Sequence, residues 1–102
     1  MTYRVIITPN AEHDLRDAYN YIRERAPDAA TRRVRGIRKQ IKTLSRFPER
    51  CPLSPESDYF QVPVRESFCG SGPRGTYRIL FVLGREVSVV HVRHGSRDAF
   101  HS

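Results

Sequence analysis

Cysteine is scarce in this 102-residue chain, with Cys51 and Cys69 the only two. That is too few for a disulfide-stapled scaffold, and the pair lacks the CxxC spacing through which neighbouring thiolates grip zinc, so both read as structural thiols. Long apolar runs are missing as well. The longest, Ile79 to Leu83, falls far short of the roughly 20 residues that a membrane-spanning helix needs. Met1 to Asn10 carries Arg4 and Pro9 and has no apolar secretory core, so the expected location is the cytoplasm, with no membrane partner. A Gly-rich phosphate loop, an HExxH pair and a GxSxG elbow are all absent, which leaves the common nucleotide, zinc-protease and serine-hydrolase readings without local support. Neither a cofactor nor a metal is expected.

What the chain does have is basic charge. Eighteen Lys and Arg face eleven Asp and Glu, a net charge of +7, and such a surface attracts polyanions or an acidic protein. The excess sits in the N-terminal half, where residues 1–51 hold 12 basic and 6 acidic side chains. Within it, Arg32 to Arg46 has seven basic residues and no acidic one. Hydrophobic residues make up 38% of the chain, enough for one core and too little for two, so residues 1–102 read as a single domain.

The pattern predicts an α+β fold in the order β-α-α-β-β-β. Tyr3 to Ile7 is short and β-branched and reads as a strand stopped by Pro9. Thr8 or Asn10 can then cap a helix whose Ala11, Leu15, Ala18 and Ile22 align on one face. Pro27 ends that helix near Ala26, and Asp28 is placed to cap a second one, giving a helical hairpin. In the second helix Ala30, Val34, Ile37, Ile41 and Leu44 fall within an arc of about 80°, with most basic side chains opposite. Glu49 to Asp58 reads as a connecting loop. Three strands follow, roughly Phe60 to Phe68, Thr76 to Leu83 and Glu86 to Arg93, joined by turns at Gly70 to Pro73 and Gly84-Arg85 into an antiparallel meander. Both helices then cover one sheet face and leave the other at least partly open, where projecting arginines would form a concave basic surface.

Candidate chemistry gathers on the strands. Arg65, Arg78 and the run His91 to Asp98 bring guanidinium groups, which hold phosphates by paired N–H bonds, together with imidazoles able to move protons near neutral pH. Alternation puts Arg78 with Leu80 and Val82, while His91 and His94 have opposite parity, so at most one of them faces the arginines. Each residue has a plainer role available. A strand arginine can pair with a carboxylate, Glu66 or Asp98 here, and a basic helix face can simply be solvated.

Ala11-x-x-Asp14-Leu15 with Tyr21-Ile22, Phe47-Pro48 after the second helix, Tyr77-Arg78-Ile79-Leu80-Phe81 and the ending His91-Val92-Arg93-His94-Gly95-Ser96-Arg97-Asp98 occur in that order along nearly the whole chain. This set resembles the RelE/ParE toxins of bacterial type II toxin–antitoxin systems. The resemblance implies a toxin held inactive by a cognate antitoxin and extends to a toxin–antitoxin heterotetramer. Two targets are implied: ribosome-bound mRNA, cut without a metal by RelE-like members, or DNA gyrase, poisoned by ParE-like members. It assigns the functional third-strand arginine to Arg78, the arginine past the last strand to Arg97 and, more loosely, a second-strand basic residue to Arg65. The nuclease branch uses a C-terminal tyrosine or histidine as acid and base. No tyrosine follows Tyr77, so His94, or less closely His91, would have to serve. The ending is nearer the ParE-like side. A non-catalytic basic nucleic-acid-binding module is the competing reading.

Overall fold

The computed structural model describes residues 2–70 and 77–94. The chain runs β1 (Val5–Ile7), α1 (Pro9–Arg25), α2 (Pro27–Lys42), two 3-10 turns (Thr43–Ser45 and Pro48–Arg50), α3 (Ser57–Phe60), β2 (Arg65–Cys69), β3 (Tyr77–Leu83) and β4 (Val87–His94). The four strands form one sheet in the order β1-β4-β3-β2. β2, β3 and β4 make the expected antiparallel meander, while β1 joins its edge parallel to β4. The α+β order read from the sequence is therefore the one observed, with α3 added.

Local chemistry accounts for the helical hairpin. Thr8 caps α1: its hydroxyl accepts the Ala11 N–H at 3.3 Å and donates to the Val89 carbonyl at 2.8 Å, tying the helix start to β4. Asp28 does not cap α2. Pro27 already occupies its first position, where a missing N–H costs nothing, so the helix begins one turn position earlier and Asp28 lies in its first turn. Ala11, Leu15, Ala18 and Ile22 of α1 and Ala30, Ile37 and Ile41 of α2 are buried against Tyr77, Ile79, Phe81, Val87, Val89 and Val92. Val34 packs at the margin of this core, and Leu44, just past α2, is completely buried in it.

Two further expectations fail. The second strand starts at Arg65 rather than Phe60, because residues 57–60 coil into α3 and Gln61 turns out of it with φ of 60°. More consequentially, the second sheet face is covered. Leu53 bridges to Arg65 at the β2 edge, the Ser54 N–H donates to Val64, and α3 then crosses so that Glu56 reaches Arg78 on β3 and the Phe60 ring stands 6.1 Å from His91 on β4. Leu80 is fully buried beneath this segment. The sequence supplies few regular signals in 52–64, yet this proline-spaced connection, with its own Val64 fully buried, covers Leu80.

Candidate functional site

Arg78 interrupts an apolar strand, and the structure shows how the fold accommodates it. Its Nε donates to Glu66 Oε1 at 3.1 Å, and one terminal nitrogen donates to Glu56 Oε1. The Arg78, Glu56 and Glu66 side chains are only 11%, 3% and 12% exposed. Glu66 comes from β2, diagonal to Arg78 across the strand pair, and Glu56 comes from the cover segment. The Ser54 hydroxyl also bonds Glu56 Oε1. Burial pushes the Glu56 carboxyl up, but Arg78 and Ser54 outweigh it and hold it below the ordinary carboxylate value. The same balance raises Arg78, since its two carboxylates outweigh its own desolvation. Glu56 Oε2 is buried with no hydrogen-bond partner among the described residues.

Arg65 lies on the other side of the sheet. It stands opposite Phe81, on the helix-facing side, and its Nη1 donates to the Cys51 carbonyl at 2.6 Å, clamping the turn that precedes the cover. Arg65 and Arg78 are thus not brought together, and no open concave surface unites them. Pleating puts them on opposite faces, and the cover closes the one that carries Arg78. Arg97 lies outside the described residues, as do Gly95, Ser96 and Asp98 of the same motif and Ser71 to Pro73 of the β2–β3 turn.

His94 ends β4 opposite Tyr77, with their rings 5.1 Å apart and edge to face. His91 has the other parity, opposite Leu80, and its Nδ1 sits 3.0 Å from Asp14 Oδ2. The same Asp14 oxygen accepts the Val92 N–H at 2.9 Å. Because β1 stops at Ile7 while β4 continues to His94, the outer edge of β4 would leave that amide unpaired, and the α1 carboxylate takes the place of the missing strand. A groove of about 360 Å³ opens beside it, with Asp14, Tyr21 and Glu24 on the helix wall and Tyr77, Arg93 and His94 on the strand wall. Its acidic and basic walls face each other.

Sequence reasoning missed Glu56, Ser54 and the anchoring role of Asp14. An arginine inside an apolar run signals a carboxylate partner, and Glu66 was legible as one; Glu56 belongs to a connection whose path no periodicity announces. Among the described residues no cluster of His, Cys, Asp and Glu is placed to hold a metal ion, and no helix is long and apolar enough to cross a membrane.

Comparison with known proteins fits this architecture. No curated protein sequence matches the chain. A solved structure titled as a chromosomal ParDE toxin–antitoxin system from P. aeruginosa superposes with a TM-score of 0.71, covering 91% of this chain and 96% of that one at 23% identity, which establishes a shared fold. The family model described as the ParE toxin of the type II toxin–antitoxin system, parDE, matches residues 5–99, from the first strand past the last. With the strand order, the helical hairpin and the arginine-bearing third strand all inside that span, the chain belongs to the ParE toxin family of type II toxin–antitoxin systems.

Proposed function

We propose that this protein inhibits growth by acting on DNA gyrase and is neutralised in the cytoplasm by a cognate antitoxin. The observation that carries the choice of target is the state of Arg78. Cutting RNA without a metal requires a guanidinium free to meet a phosphorane-like transition state, with an acid and a base within hydrogen-bond reach. Here Arg78 is neutralised by two carboxylates beneath the cover, and Arg65 lies on the opposite face. This supports a poison that works by contact rather than an endoribonuclease. His94 at the end of β4, and Arg97 three residues farther on, are the two candidates retained as contacts with the target, while Arg65 and Arg78 hold the scaffold. An acidic amphipathic antitoxin segment, folding on binding, fits the net charge of +7, and a heterotetramer would follow if the antitoxin is itself a dimer.

Induction in a bacterial host tests this directly. The expected result is arrest with DNA breaks and a DNA-damage response, relieved by co-expressing the product of the adjoining reading frame. Arrest accompanied by cuts in ribosome-bound mRNA, and by intact DNA, would move the protein to the nuclease branch. Undisturbed growth at verified soluble expression would refute the toxin reading.

A further inference from the structure

The basic run Arg32 to Arg46 takes no part in the site described above, yet the fold gives it a definite shape. Arg35, Lys39 and Lys42 recur at i, i+4 and i+7 on α2, opposite the face that buries Ile37 and Ile41. These three span about 10 Å of helix at 1.5 Å per residue, and Arg46, extended beyond the 3-10 turn, joins Lys39 and Lys42 at one groove. Among the described residues none of these four cations has an ion pair, whereas their neighbour Arg38 is held by Glu12 at 2.8 Å.

The row ends at an aromatic ring turned outward. Phe47 is 72% exposed and has φ of 48°, a left-handed conformation that side-chain-bearing residues rarely adopt. Its surroundings enforce that conformation. The Tyr3 N–H donates to the Ser45 carbonyl at 2.7 Å, Thr2 bridges to Arg46, and the next residue, Pro48, is fully buried. The Arg50 guanidinium donates to the Phe47 carbonyl at 3.0 Å and to the Thr43 hydroxyl at 3.2 Å, which fixes its position. Lys39, Lys42, Arg46, Phe47 and Arg50 thereby line one open groove with no acidic side chain among its described residues. Glu49, the nearest acid in sequence, instead accepts from the Tyr3 hydroxyl at 2.9 Å. Strain held in place by surrounding contacts is a pointer to function, and here it displays an aromatic face among cations.

We infer that this row and the Phe47 ring form a binding track for single-stranded nucleic acid. Cations 4.5 to 6 Å apart along the axis, by the helical rise of about 1.5 Å per residue, suit successive phosphates of an extended strand. A protruding ring flanked by cations is what base stacking requires. An acidic amphipathic helix would instead need several apolar side chains to seat its own, and Phe47 is the one hydrophobic residue among the described residues lining this groove. This inference does not rest on the gyrase proposal, and growth assays leave it untouched.

The test is fluorescence anisotropy of the purified full-length chain with a labelled single-stranded oligothymidine of about 12 nucleotides, the length class of such tracks. Four phosphate contacts predict a log–log salt slope of about −3, so affinity should fall roughly fiftyfold between about 50 and 200 mM salt. Phe47→Ala should weaken binding about tenfold while Phe47→Tyr retains it. The triple variant Lys39→Glu, Lys42→Glu, Arg46→Glu changes exposed side chains only and should abolish binding with the circular dichroism spectrum unchanged. Absence of binding at the lowest salt, or binding that survives the triple variant, overturns the inference. Equal affinity for a duplex with no effect of Phe47→Ala overturns the stacking role, and preference for a charge-matched Glu-rich peptide hands the surface to an acidic protein.

Discussion

Replacing Arg78 with leucine should be among the most damaging single changes in this protein. The substitution removes the cation that two buried carboxylates share and leaves Glu56, whose Oε2 already lacks a partner among the described residues, facing Glu66 under the cover. Breaking a buried ion pair from one side costs about 3–5 kcal/mol, a large part of the roughly 5–15 kcal/mol that holds a domain of this size together. At about 4–8 °C per kcal/mol, the melting temperature should drop by at least about 12 °C. Acid should narrow the gap. Glu56 is held below the ordinary value of 4.5, so its contribution is complete above that value and disappears as pH falls through the lower native one. Urea unfolding of both proteins across that range measures the difference directly. Combining Arg78→Leu with Glu56→Gln and Glu66→Gln should recover much of the loss, because no uncompensated charge then remains. A deficit under about 1 kcal/mol near neutral pH, or one that stays constant into acid, would refute the structural role of the triad and return Arg78 to the list of free anion ligands.

Thr8→Ala removes both the cap of α1 and its link to Val89, and should cost about 1–2 kcal/mol in chemical denaturation. Asp14→Ala exposes the Val92 amide and removes the carboxylate beside His91. Beyond a loss of about 1–3 kcal/mol, faster hydrogen exchange confined to the end of β4 is the diagnostic result. Gly36→Ala should instead stabilise α2 by about 0.5–1 kcal/mol, since a methyl group there meets nothing within 4 Å and the helix loses its most flexible residue. Glu12→Gln should change stability by less than about 1 kcal/mol despite its two-bond contact with Arg38, because both side chains are 43% exposed and water screens the pair.

Periodicity, punctuated by Pro27 and the short glycine turns, determined the helical hairpin, its buried stripes, the meander and the side of β3 on which Arg78 lies, because in those elements a local repeat of 3.6 or 2 residues maps directly onto a buried face. The basic face of α2 was readable for the same reason. What only the tertiary structure decided was the fate of the arginines. Whether Arg78 meets a phosphate or a carboxylate depends on where residues 52–64 travel, and that path is set by long-range demands, the need to cover Leu80 and to pair the edge of β2 at Leu53. The parallel placement of β1, and with it the vacancy along β4 that Asp14 fills, likewise depends on contacts about 80 residues apart, such as Asp14 with Val92 at a separation of 78, for which no local pattern in the chain can stand as a record.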